Sequence, residues 1–298
     1  MKIHPRRHLV QLAAADRRWI YSLLAVAVLG ALVSGLRLPD RPSVLVLPIY
    51  HKLEELPAGA PILISFEYTP STAPELEPMA FALTRHAMLK GHRVCYMSLW
   101  PEGNNLIGRV VTEVIQSEFP HKMEGRDWVT LGYKAGNEMV INALRQDLAS
   151  MYDTDLTGRP LKELPALAGV RSLADFALLL SLSAGTPGLK EWILYAGDPL
   201  GVPLAGGCNG AGTANLLPYF PRQLFGLMGG LKGAAEYETA LAEGYPHFHQ
   251  QSRRASEGMG PLAVAHAVII LFILLGNLGA LLDRRAQGGH GHGRGAIS

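Results

Sequence analysis

Two stretches near the ends of this 298-residue chain most constrain what it can fold into. Residues 19–38 and 261–282 are each apolar over about 20 residues, the length at which a helix crosses a bilayer. The second carries no formal charge before Asp283, and Arg284 and Arg285 close it. It shows no polar face, as a helix against a water-exposed core would. The first follows Arg6, Arg7, Arg17 and Arg18, and opens with Trp19 and Tyr21, the aromatic residues of a membrane interface. A cleaved signal peptide is the competing reading, but the apolar part is long for one and no clear Ala-x-Ala site follows. The expectation is a two-pass protein of the cell membrane, with the lipid bilayer as its first partner. His266 and Asn277, inside the second span, read as groups that bond a neighbouring helix.

The rest divides around these spans. Residues 1–18 are a basic tail and 39–60 a linker or leader strand, expected over 44–49. Residues 61–245 are a central domain, 246–260 a second linker and 283–298 a flexible tail rich in glycine and histidine. Basic outer flanks place both termini in the cytoplasm and the central domain outside it. Arg37, Arg41, Arg253 and Arg254 lie on the outer side and pull against that orientation. A net charge of +2 is too balanced for a nucleic-acid partner. Two cysteines, Cys95 and Cys208, make no disulfide framework and read as buried thiols, with a single bridge as the alternative.

The central domain alternates short apolar runs with helical patterns. Ile62-Leu63-Ile64 has no helical period and suits a strand covered on both faces. Thr72-Ala-Pro-Glu75 has the spacing of a capping box, and Gly91 stands where a helix would end. Further strands are expected at 94–99, 128–133, 176–182 and 191–196. Helices are expected at 106–119 and from 138 to about 151, the latter with Met139 inward. Residues 152–175 read as a long irregular connection. The fold class is α/β: a mostly parallel, Rossmann-like sheet with helices on both faces, flanked by the two spans.

Two glycine-rich stretches stand apart. Residues 201–212 carry Gly210 and Gly212 of a dinucleotide fingerprint without its third glycine, so the reading is a loop that comes close to another backbone. Residues 222–243 read as a helix bearing Gly226, Gly229, Gly230 and Gly233, a surface for helix–helix contact and self-association.

The runs Leu131-Gly-Tyr-Lys-Ala-Gly-Asn-Glu-Met-Val-Ile and Gly229-Gly-Leu-Lys-Gly-Ala-Ala-Glu-Tyr-Glu resemble those of uncharacterised prokaryotic membrane proteins. In these a domain lies between two terminal spans. The resemblance covers most of residues 60–245 and implies a shared architecture, with no activity to transfer.

In open parallel sheets ligands sit beyond the carboxyl ends of the strands. The expected strand ends collect Glu67, Tyr68, Ser98, Tyr133, Lys134, Glu138, Ser183 and Asp198. Glu67 and Asp198 are candidates for paired catalytic carboxylates, with Lys134 as their counter-charge. Tyr68, Ser98, Tyr133, Glu138 and Ser183 are candidates for binding. No GxSxG, HExxH or Cys–His nucleophile pattern is present. His247-x-His249, His290 and His292 are too sparse to hold a metal, and neither metal nor cofactor is expected. The reading is a membrane-tethered binding or assembly module, without enzymatic activity. The alternatives are a membrane-anchored hydrolase or transferase, and an accessory subunit of a transporter or other membrane-protein complex.

Overall fold

A computed structural model describes residues 17–36, 41–246 and 253–288. Arg6, Arg7, Arg37, His247, His249, His290 and His292 lie outside the described residues. Pro39–Ser256 forms one compact unit, and the terminal segments form a second.

Six parallel strands make the sheet of the central unit. They are β1 (Pro61–Glu67), β2 (Arg93–Ser98), β3 (Trp128–Tyr133), β4 (Leu178–Ser183), β5 (Leu204–Cys208) and β6 (Gly226–Gly229), in the order β3-β2-β1-β4-β5-β6. This is the doubly wound order, with its switch point between β1 and β4. Ile62, Leu63, Ile64 and Phe66 of β1 are fully buried, as the unbroken apolar run requires of a strand covered on both faces. Leu63 and Leu179 pack with Val140, Ile141, Leu144, Trp192 and Ile193 on one face. That face is covered by α5 (Glu138–Gln146), α6 (Leu189–Trp192) and the π-helical turn Ile193–Gly197 that leads to α7 (Asp198–Leu200). The opposite face carries α2 (Leu47–Glu55), α3 (Ala73–Lys90), α4 (Gly103–Val110) with its π-helical continuation Val111–Gln116, and α9 (Gly230–Gly244). A short α8 (Thr213–Leu216) follows β5.

Several sequence expectations are corrected. Residues 44–49 are not a strand, because Pro48 sits in the first turn of α2, where its missing N–H costs nothing. Residues 191–196 are helical. Trp192, Ile193 and Ala196 are buried while Leu194 is exposed, a helical period hidden by strand-like residue types. Residues 201–212 are not only loop, since their centre is β5. The close backbone approach does hold there, because a Cβ on Gly206 would strike the Ser181 carbonyl oxygen. Residues 222–243 are not one helix. Gly226 and Gly229 belong to β6, and Gly230 turns the chain into α9 at φ +57°. The space beside Gly226, Gly229 and Gly233 is filled by Ile49, Thr213 and Met228 of the same chain. Met139 points outward on α5. Thr72 precedes α3 without a side-chain cap, and Glu75 instead accepts from the Gly210 N–H at 2.7 Å. Gly91 does end α3 in the left-handed conformation, at φ 72°. Cys95 and Cys208 are buried free thiols on β2 and β5, three strand spacings apart, about 14 Å.

In the terminal unit, α10 (Arg254–Gly288) holds a 28-residue segment, Arg254–Leu281, whose most apolar 18-residue window has a mean hydropathy of 2.3, long and apolar enough to cross a membrane. Its Ile270, Leu271, Ile273 and Leu274 are exposed. The N-terminal helix α1 (Arg17–Val33) is 17 residues long. At 1.5 Å per residue it reaches about 26 Å, short of the ~30 Å hydrocarbon layer. Ser34 and Gly35 turn the chain at its end, so the span expected over 19–38 is a shorter helix than its apolar length suggests.

Candidate functional site

The carboxyl end of the sheet brings together part of what the sequence proposed. In β1, Ser65 and Glu67 alternate with apolar residues and share the face covered by α6. In β4, Ser181 and Ser183 do the same, level with Ser65 and Glu67 in the register. A polar strip thus runs up the middle of a buried face. Glu67 is fully buried at its top. Ser181 donates to its Oε2 at 2.9 Å, Trp192 Nε1 donates to Oε1 at 3.4 Å, and Ser65 donates to Oε1. The Leu99 N–H adds a fourth donor. Burial pushes the carboxyl pKa up to about 7, and these hydrogen bonds pull against it. Among the described residues no basic side chain lies within ion-pair distance of Glu67.

Ser183 joins the strip to open space. It accepts from the Leu189 N–H at 2.9 Å, and it lines a cavity of about 340 Å³ at the ends of β4 and β5. Thr186, Lys190, Asn209 and Asn215 supply the other polar side chains of that cavity, over Leu189 and Leu216. Its walls are the β4 loop, residues 183–186, and the glycine-rich turn 208–212 after β5. Asn209 shapes the turn by accepting from the Gly212 N–H at 3.1 Å. The lining holds one cation and, among the described residues, no acid.

The other candidates fall elsewhere. Asp198 lies at the opposite edge. It precedes β5, whose first residue is level with Leu179 at the start of β4, whereas Glu67 is level with Ser183 at its end. The paired carboxylates are therefore not a pair. Lys134 lies over the Tyr152 ring, 5.2 Å from its centroid, beyond the outer strand β3. Tyr133 binds the Asn104 side chain through its backbone N–H at 2.7 Å, and Glu138 is exposed in the first turn of α5. The Ser98 hydroxyl closes its own turn, accepting from the Trp100 N–H at 2.9 Å and sharing its one proton between the carbonyls of Phe66 and Trp100, at 2.5 and 2.8 Å. Tyr68 points to the opposite face, buried, with its hydroxyl unpartnered, near Glu77 and Arg109.

Sequence reasoning missed Ser65, Ser181, Trp192, Lys190, Asn209 and Asn215. The repeated Ser-x-Glu and Ser-x-Ser at strand spacing was the available signal for the first two: polar residues two apart in otherwise apolar strands share a face. No described group of three or more His, Cys, Asp or Glu is arranged to hold a metal. Compared with protein-family models, with curated proteins and with solved structures, the chain matches none.

Proposed function

We propose that this chain is a bilayer-tethered α/β binding module whose cavity takes a small anion. The observation that carries the reading is the cavity at the ends of β4 and β5. It stands beside the switch point of a doubly wound sheet, where such folds hold ligands. At about 340 Å³ it falls in the range of small-molecule sites. One lysine, one threonine and two asparagines line it with no carboxylate among the lining, and Glu75, the acid that meets the 208–212 turn, is engaged by the Gly210 N–H, so the lining favours negative charge. Glu67 lies sealed below, and Asp198 is at the far edge, so a carboxylate pair for acid–base work is not assembled. The exposed apolar surface of α10 supports the tether, since water would not leave it uncovered. The shorter α1 joins it in the membrane by tilting less or thinning the bilayer locally.

Thermal unfolding of the full chain in detergent tests the ligand class. The panel is acetate, inorganic phosphate, glycerol 3-phosphate, glycerol and tetramethylammonium. A ligand at about 100 times its Kd stabilises by ~2.7 kcal/mol, a shift of several degrees for a domain of this size. The anions should raise Tm and the others should not, and Lys190→Ala should remove the response. A wild type indifferent to every anion, or a Lys190→Ala variant that responds equally, would refute the reading.

A further inference from the structure

One side chain bridges the ends of β2 and β4 beside the cavity. Trp100 follows the end of β2, and its indole N–H donates to the Pro187 carbonyl at 2.9 Å, in the loop after β4. β1 lies between those two strands, so the indole crosses the end of β1, where Glu67 sits. The ring rests on Gly185, a residue of the cavity wall. A Cβ there would stand 3.1 Å from the ring, so the loop is built flat to receive it. Trp100 packs at the margin of the same core that holds Leu99 and Trp192, on the face where the Glu67 carboxyl lies. It is half-buried, whereas Glu67 and Trp192 are fully buried.

We propose that Trp100 is a gate: the open cavity continues behind its indole to a closed subsite floored by Glu67, and the ligand that fills both is a small hydroxylated anion. Its charge sits at Lys190 and its hydroxyl donates to Glu67. The proposal rests on the anion-binding reading of the cavity. A hydroxyl is the fitting group because Glu67 is held only by neutral donors, two of them hydroxyls, any of which a ligand hydroxyl replaces in kind. A carboxyl oxygen accepts that bond whether or not the acid holds its proton. The gate is held by one hydrogen bond, by contact with Gly185 and by packing at the core margin, and opening it disturbs no strand pairing.

Titration calorimetry of the full chain in detergent, with glycerol 3-phosphate and propyl phosphate, tests the subsite. The two probes differ in their hydroxyls. The wild type should bind the hydroxylated anion about tenfold more tightly, and Glu67→Gln should reduce that preference. Trp100→Phe keeps a ring but loses the N–H that latches the gate. It should bind glycerol 3-phosphate several-fold more tightly, because less of the population is closed. Equal affinity for the two phosphates, with both weakened by Lys190→Ala, overturns the gate and leaves the cavity reading standing. Binding of neither phosphate removes both. A tighter fit for 3-aminopropyl phosphate than for glycerol 3-phosphate overturns the hydroxyl assignment. A ligand-free readout is the part of the tryptophan fluorescence titration that disappears in Glu67→Gln. Its midpoint should fall by more than one pH unit in Trp100→Ala, where water reaches the carboxyl. An unchanged midpoint overturns the gate.

Discussion

Glu67 and His86 are two of the buried groups whose charge the fold suppresses, beside His92, Glu77 and Glu238, and they pull stability in opposite directions with pH. Burial raises the Glu67 carboxyl to about 7. The folded state therefore holds a proton that the unfolded chain releases near 4.5, and stability is lost as pH rises from there through 7. The displacement corresponds to roughly 3 kcal/mol. Burial lowers the His86 imidazole to about 4, against the pull of Glu54. Its contribution is present above 6.5 and is lost as pH falls toward 4. His86 is fully enclosed between Tyr237 and Glu54, at 2.7 and 2.8 Å. Between pH 4.5 and 6.5 these two contributions to the melting temperature oppose each other in the wild type. Relative to the wild type, Glu67→Gln should make that temperature rise with pH, and His86→Gln should make it fall, with a loss of about 1–3 kcal/mol from the broken network. Melting curves of the three proteins across that window are the check. Parallel profiles would mean that neither group is held as described. At this scale the sequence was partly readable. Glu67 stood out as the first polar residue after an apolar run. The partners that hold it did not, because Ser181 and Trp192 come from distant segments that only the sheet order brings alongside.

Among the elements, β5 was the hardest to recognise. Leu204-Ala-Gly-Gly-Cys has the composition of a loop, yet it is a central strand. Its glycines serve the close packing of layers on either side. On Gly206 a Cβ would meet the Ser181 backbone, which cannot move without breaking β4. On Gly207 it would meet the end of the flexible Met79 side chain. Gly206→Ala should therefore cost more than about 2 kcal/mol or abolish folding, with Gly207→Ala clearly milder, in urea unfolding. Equal costs would count against this account of the strand. β1, β2 and β3 were legible because their mostly apolar runs are short and end in turn residues. Helix α9 holds both ends of the central unit. Glu236 accepts from the Ser43 N–H at 3.0 Å. Glu238 accepts from the N–H groups of Ala255 and Ser256 at 3.1 and 2.9 Å, capping the first turn of α10. Glu238→Ala should expose those two amides to hydrogen exchange while β1 keeps its protection. The loss should be about 1–2 kcal/mol, the size of a helix cap. Unchanged exchange at 255 and 256 would show that the cap is not needed.

The whole molecule joins a doubly wound sheet to a long apolar helix, and the sequence conveyed both. Hydrophobic length alone announces α10, and the alternation of strand and helix patterns announces the sheet. Of the polar residues that line the cavity Ser183 was legible, as a strand end, and Lys190, Asn209 and Asn215 were not, because they lie in segments after β4 and β5 whose proximity follows from strand order. Under the proposed tether, the basic flanks favour an extracytoplasmic domain. Lys162→Cys, in a Cys95→Ala, Cys208→Ala background, should react with an impermeant maleimide on intact cells, since residue 162 is exposed on the central unit. Reaction only after permeabilisation would place the domain in the cytoplasm. The central claim is that the cavity at the ends of β4 and β5 binds a small anion through Lys190. Calorimetric titration of the full chain in detergent with glycerol 3-phosphate, beside Lys190→Glu, tests it most directly. The account predicts a single saturable site in the wild type and at least a tenfold loss on charge reversal. No heat up to millimolar ligand, or an affinity that survives Lys190→Glu, would contradict it.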